Sequence, residues 1–385
     1  MKRISFKLFL IGFLLILSGC ACTPERQKDT TEFKAVIVSD LHYTQYKGTV
    51  STIIPLISAA GKCYEAFFRE VLDIHPDVLI ITGDNTNSGN TDDAHALYEM
   101  LKPVKDAGIR IVMTTGNHDF NNMSPAGYEE IYFPLFDIHS RDKASLSYSV
   151  LEKGVLMLAM DDCTDSRNTA ASFSKDTMKW MRGQLKEADD NGWRILFCSH
   201  HSVLSNAGGS YTITNKDLAD TLRKADVQLC LTGHQHSQHI LRDGSLYEVI
   251  TAMPLSGAHL YGNLVMNETG IHYHTKSIDF QTYGDDELKV FIAEAEQRSS
   301  DNFRTTFTSM FEVDGVAEEE MEDCLECAAI LMQAQSEGTL GREAEKIRQH
   351  PGYERMLKAL QPTNYGPWIN TMMEHPSDSN HLEIH

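Results

Sequence analysis

Short apolar runs recur along the first two thirds of the chain, at 33–39 (FKAVIVS), 78–82 (VLIIT), 111–115 (IVMTT), 155–160 (VLMLAM), 195–199 (ILFCS) and 227–232 (VQLCLT). Runs this short, rich in aliphatic and β-branched residues, predict strands buried on both faces. Helix-like stretches separate them at 62–74, 91–107, 174–188 and 216–225; in the first, Tyr64, Phe67, Phe68, Val71 and Leu72 fall on one face. Strands alternating with helices predict an α/β fold. Segments 247–252, 259–266 and 271–277 have a different rhythm, and with a turn at 267–270 (NETG) they predict antiparallel strands closing the domain. From Asp285 onward the strand signal stops, and helices are expected at 286–296, 302–311, 318–335 and 342–360, the last interrupted at Pro351-Gly352. The pattern divides the chain into an α/β domain at 32–284 and a helical C-terminal domain at 285–385.

The N-terminus has its own pattern: Lys2 and Arg3, an apolar core at 8–17, then Leu17-Ser18-Gly19-Cys20. The core is short for a membrane span and fits a signal-peptide core. The LSGC segment resembles the lipobox of bacterial lipoproteins. That resemblance implies a signal peptide at 1–19, cleavage before Cys20, a lipid on Cys20 and residence on the extracytoplasmic face of a bacterial cell membrane. Residues 20–31, polar from Thr23 to Thr31 (TPERQKDTT), read as a tether.

A net charge of −20 repels nucleic-acid phosphate, so no specific nucleic-acid binding is expected and phosphate chemistry needs a local cationic centre. Of the eight cysteines, Cys198 and Cys230 lie inside apolar runs and are expected as buried free thiols. Cys324 and Cys327 form a CxxC, yet Met321, Cys324, Leu325, Ala328, Leu331 and Met332 share helical spacing, which favours core packing over redox or zinc chemistry.

A polar cluster follows each of five apolar runs: SDLH (Asp40, His42), TGDNTNSG (Asp84), TGNHD (Asn117, His118, Asp119), SHH (His200, His201) and TGHQH (His234, His236). Strand ends deliver side chains to one rim of an α/β sheet, so these clusters are expected to converge. Carboxylates, imidazoles and a carboxamide together suit first-row divalent metals. Asp40 and His42 would point to the same side if strand geometry continued, and His234 and His236 share that spacing. The two oxygens of Asp84 could bridge a pair of ions. Gly83, Gly116 and Gly233 precede polar residues where the backbone must turn sharply or approach the site closely.

In this order the clusters resemble the signature of the calcineurin-like metallophosphoesterase superfamily, from Asp40 to His236. The resemblance implies a sandwich of two mixed β-sheets flanked by helices, and two divalent ions (Mn, Fe, Zn, Ni or Co). Asp40, His42, Asp84 and His236 would hold the first ion, and Asp84, Asn117, His200 and His234 the second. His118 would serve as general acid or phosphate contact. His200 is preferred to its neighbour as a ligand because it lies nearer the strand end; Ser202 stands where the family often has proline, and His201 is left to face the substrate. Asp119 is expected to orient or charge a neighbouring imidazole.

The implied reaction is hydrolysis of a phosphoester by hydroxide formed on metal-activated water. Purple acid phosphatases carry a tyrosine ligand three residues after the Gly-Asp aspartate, where this chain has Asn87, so that subgroup is set aside. GDNTNSG is similar to the Gly-Asp-Leu-Thr-x-x-Gly segment of class III cyclic nucleotide phosphodiesterases, which implies phosphodiester substrates with 3′,5′-cyclic nucleotides among the candidates. Phosphomonoesters and glycerophosphodiesters are the alternatives, and Tyr43 and Tyr46 are candidates for lining a pocket. A non-catalytic surface-binding protein is the reading from another class, and the filled signature argues against it.

Overall fold

The computed structural model describes residues 31–46, 54–163, 171–204 and 212–385. Cys20, the leader and all of the tether but Thr31 lie outside them. In chain order the strands are β1 (Phe33–Val38), β2 (Val78–Thr82), β3 (Arg110–Thr114), β4 (Ser140–Arg141), β5 (Tyr148–Glu152), β6 (Val155–Ala159), β7 (Arg194–Cys198), β8 (Leu229–Thr232), β9 (His239–Asp243), β10 (Leu246–Ile250), β11 (Leu260–Asn267), β12 (Gly270–Ser277) and β13 (His381–Ile384). The helices are α1 (Ala60–Ile74), α2 (Thr91–Asp106), α3 (Pro125–Tyr132), α4 (Lys175–Asn191), α5 (Leu218–Lys224), α6 (Phe280–Tyr283), α7 (Asp286–Val313), α8 (Glu318–Ser336), α9 (Leu340–Arg348), α10 (Tyr353–Leu360) and α11 (Tyr365–Glu374).

Two mixed sheets result, one ordered β13-β12-β11-β1-β2-β3 and the other β4-β5-β6-β7-β8-β10-β9. Val36, Ile80 and Val112 of the first and Met157, Leu196 and Val249 of the second belong to one buried core, so the sheets form a sandwich. The six apolar runs lie on β1, β2, β3, β6, β7 and β8, with boundaries shifted by one or two residues at most ends. All of β2, β6 and β8 is buried, which is why those runs carry no polar alternation. β10 departs from expectation: it pairs antiparallel with β9 but parallel with β8, so the antiparallel closure at that end involves only β9.

Helix starts follow capping chemistry. Asn90 accepts from the backbone N–H groups of Asp92 and Asp93 at the start of α2, Ser174 from Thr177 at α4, and Asp285 from Leu288 at α7. α7 runs unbroken through 297–301, where two helices were expected. Its apolar spacing lapses there because the helix crosses between cores: Leu288, Ile292 and Ala295 pack on the sandwich, whereas Phe307 and Phe311 pack in a second core shared with α8 to α11. The chain then returns, and β13 extends the first sheet beside β12. Cys324 and Cys327 are buried in the second core as free thiols, and Cys198 and Cys230 are free and buried in the sandwich. No helix of the described residues is long and apolar enough to cross a membrane.

Candidate metal centre

The strands end just before the chemistry. β1 stops at Val38, and Asp40 and His42 both take left-handed backbone (φ 53° and 42°), as do Asp84 (47°), His234 (70°) and His236 (56°). Strand alternation therefore does not aim these side chains, contrary to the sequence expectation. Left-handed turns do, and their cost for residues with a Cβ is met by surrounding bonds, a pattern concentrated at functional sites. The backbone N–H groups of Asp40 and His42 donate to the carbonyls of Gly83 and Asp84 at 3.1 and 2.8 Å, which locks the turn after β1 to the turn after β2. Gly83 itself has φ +88°. At Gly116 a Cβ would lie 2.0 Å from the Asp84 nitrogen, so only glycine admits this approach of the β3 turn.

The side chains then meet in two adjoining sets. In one, Nε2 of His42 and Nε2 of His236 are 3.1 Å apart, His42 Nε2 is 3.5 Å from Asp84 Oδ2, and His236 Nε2 is 3.5 Å from Asp40 Oδ1. In the other, His200 Nε2 lies 3.2 Å from Asn117 Oδ1, 3.2 Å from His234 Nδ1 and 3.4 Å from Asp84 Oδ2. Asp84 belongs to both sets, but through one oxygen: Oδ2 faces His42 and His200, while Oδ1 accepts the backbone N–H of His118 at 2.8 Å. The expected use of both oxygens for bridging is corrected accordingly.

These donor sets fit metal cations. His200 Nδ1 is 2.9 Å from the Thr82 carbonyl and must donate to it, so in the neutral ring Nε2 is a lone pair facing an amide oxygen, a carboxylate oxygen and another imidazole. Converging acceptors repel unless a cation sits among them. Burial opposes charge at His200, yet Asp84, with Asp40 and Asp162, outweighs it and pushes the imidazole up to about 10, so the surroundings favour positive charge at this position. Burial lowers His42 to about 4 and His234 to about 3, leaving both rings neutral and able to ligate.

His118 stands apart from both sets. Its Nδ1 is 2.8 Å from the Asn87 carbonyl, and its ring meets His42 edge-on with centroids 4.6 Å apart. Asn87 thus contributes a backbone carbonyl that fixes this ring.

Asp119 does not touch an imidazole, in contrast to the sequence expectation. Fully buried, it accepts from the backbone N–H groups of Thr86 and Gly116 at 2.9 and 3.0 Å, from Asn85 Nδ2 at 2.8 Å and from Thr86 Oγ1 at 3.1 Å. It ties the β2 turn to the β3 turn. Burial, reinforced by the nearby Asp84 charge, raises its carboxyl to about 6.

His201 lies outside both sets, with Nδ1 3.4 Å from Asp162 Oδ2 and 3.6 Å from Cys163 Sγ, and its ring 4.2 Å from that of His234. Asp162 and Cys163 escaped the sequence reading, although the Asp161-Asp162 pair directly follows the run on β6 as the other clusters follow theirs. Glu248 on β10 was also missed. Buried completely, it accepts from the N–H groups of Val203 and Leu204 and from Thr232 Oγ1, holding the β7 turn that carries His200. Ser202 completes that cage, its Oγ donating to Glu248 at 2.9 Å.

Comparison with known proteins agrees with this geometry. The sequence profile of the calcineurin-like phosphoesterases matches residues 33–238, and the chain belongs to that family. It is similar to a probable cyclic nucleotide phosphodiesterase of Rhodococcus erythropolis, 26% identical over 196 residues that make up 46% of this chain and 61% of the relative. Another, from Moraxella catarrhalis, is 25% identical over 56% of this chain and 76% of its own length. The chain thus spans less than two thirds of the first of these relatives. Among solved structures, a dimetal phosphatase from Danio rerio shares the fold with a TM-score of 0.50 at 13% identity, over 63% of this chain and 95% of that one. The chain is thus of the phosphoesterase class by family, and its site gathers donor groups that fit metal ions.

Proposed function

We propose that the chain hydrolyses phosphodiesters, with 3′,5′-cyclic nucleotides among its substrates, at a pair of divalent ions drawn from Mn, Fe, Zn, Ni or Co. The observation that carries the reading is the sharing of Asp84 Oδ2 between two sets of converging donors, with His118 beside them and outside both. Asp40, His42, Asp84 and His236 would hold one ion, and Asp84, Asn117, His200 and His234 the other. Such a pair supplies Lewis acidity, charge neutralisation at the phosphoryl oxygens and a water pKa lowered toward about 7.

The chain's own residues do the rest. Asn117 offers a neutral oxygen, adding no negative charge to repel the phosphate. The Nδ1–H of His118 is held by the Asn87 carbonyl, which leaves Nε2 to carry a proton to the departing alkoxide. The carbonyl of Thr82 fixes the His200 ring in the tautomer whose Nε2 ligates. His201, anchored on Asp162, adds an imidazole at the edge of the second set.

The diester preference rests on the GDNTNSG segment and on the names borne by the similar relatives. It is tested by measuring kcat/KM across 3′,5′-cyclic nucleotides, linear diesters, glycerophosphodiesters and monoesters. A diester should lead the panel; a monoester leading it would overturn the substrate assignment while leaving the hydrolase class intact. The LSGC segment supports a further part of the proposal, that Cys20 is lipidated and the chain is held on the extracytoplasmic face of a bacterial membrane. Labelling with a fatty-acid probe that survives in wild type and vanishes in Cys20→Ala is the expected result.

A further inference from the structure

The turn that carries His234 and His236 is fastened at both ends, and its two ends belong to different parts of the molecule. At the β8 end, Gly233 donates to the His200 carbonyl at 3.0 Å, and the His234 N–H donates to the Asp40 carboxylate at 3.0 Å. At the β9 end the close partners belong to the C-terminal helical region, with the Tyr273 hydroxyl of β12 a longer 3.5 Å from Gln238 Oε1. The Gln238 N–H donates to the carbonyl of Ser336, the last residue of α8, at 3.0 Å. Its Nε2 donates to the Ser379 carbonyl at 2.8 Å, and the Ser379 N–H donates in turn to the Gly338 carbonyl at 2.7 Å. Gln238 is completely buried, and a Cβ on Gly338 would lie 2.9 Å from its Cγ. One residue on, His239 Nε2 meets Gln335 Nε2 at 3.0 Å.

These bonds meet needs on both sides. Carbonyls in the last turn of a helix have no partner within it, so Gln238 satisfies one that α8 would otherwise leave open. The turn in return gains fixed points two residues beyond His236, whose side chain is 34% exposed and whose backbone holds a left-handed φ of 56°. Among the described residues the His236 ring meets only the His42 ring, edge-on with centroids 5.0 Å apart, so its backbone anchors help to keep Nε2 beside Asp40 and His42.

We propose that Gln238 is a positioning residue through which the C-terminal helical domain sets the affinity of the ion held by Asp40, His42, Asp84 and His236, leaving the other ion to the sandwich. The inference rests on the two-ion reading above. The domain is then part of the metal centre's support.

The test is a Mn²⁺ titration of the full chain, wild type against Gln238→Met, by calorimetry, with His42→Ala marking which binding phase belongs to the His236 set. The variant should weaken that phase by about tenfold or more, as loss of a group supporting a ligand does, and leave the other phase unchanged. Equal weakening of both phases, or of neither, overturns the proposal. Should Gln238→Met not fold, the same split read on Gln238→Asn, whose shorter side chain draws back from the Ser379 carbonyl, decides the matter. If wild type binds no Mn²⁺ at all, the fault lies with the two-ion reading itself.

Discussion

Asp84 binds the backbone N–H of His118 through Oδ1 while its Oδ2 faces His42 and His200. One carboxylate thereby joins both donor sets and also fixes His118, the residue proposed to move the proton. Replacing Asp84 by Asn keeps an oxygen for His118 but removes the anionic bridge. The variant should retain fewer than one ion per chain by elemental analysis, against two for wild type. Two ions in Asp84→Asn would show that the bridge is dispensable.

His118→Ala separates proton transfer from metal binding, because the ring of His118 contacts neither set as a ligand. Metal content should be unchanged while kcat falls by about a hundredfold to ten-thousandfold, the usual span for general acid–base catalysis. The loss should be smaller for a p-nitrophenolate leaving group than for an alkoxide, which needs the proton more. Equal metal depletion in this variant and in Asp84→Asn would contradict the division of roles.

Gly116→Ala tests the close approach of the β2 and β3 turns. The new Cβ would fall 2.0 Å from the Asp84 nitrogen and 2.2 Å from Oδ1, so one turn must move. Urea denaturation should show a loss of about 1–3 kcal/mol, typical of overpacking in a tight interior. Wild-type stability in this variant would mean the turns are looser than the structure describes.

Glu248 gives a pH dependence that lies clear of the ligands. Burial pushes its carboxyl above the ordinary value of 4.5, outweighing the donors from Thr232, Leu204, Val203 and Ser202 that pull it down. A carboxyl raised in the folded state contributes stability below its unfolded pKa and loses that contribution as pH rises through the folded value. The non-titrating Glu248→Gln variant should therefore approach wild-type stability as pH is raised from below 4.5 upward. Thermal melts of both proteins across that range check the sign, and a gap that widens with pH would contradict it.

The sequence carried much of this fold because buried strands and the polar turns after them are local features. The runs at β2 and β6 and the clusters around Asp84, Asn117 and His200 are legible for that reason. Features set by distant partners were not. β13 is short and alternates in burial, and becomes a strand only by lying beside β12. The 297–301 stretch of α7 reads as a break because its residues face solvent between two cores. The task of Asp119 was missed for a similar reason: its partners Asn85 and Thr86 sit on another turn, 34 and 33 residues away in sequence. Likewise, the link from Gln238 to Ser379 spans 141 residues and leaves no periodic trace.

The central claim, phosphodiester hydrolysis at a metal pair sharing Asp84, is tested most directly by removing and restoring the metal. The full chain, stripped by chelation, should release no p-nitrophenol from bis-p-nitrophenyl phosphate. Turnover should return with added Mn²⁺, Zn²⁺, Ni²⁺ or Co²⁺ and saturate at two ions per chain. Turnover that persists in the stripped protein, or that none of these ions restores, would contradict the account.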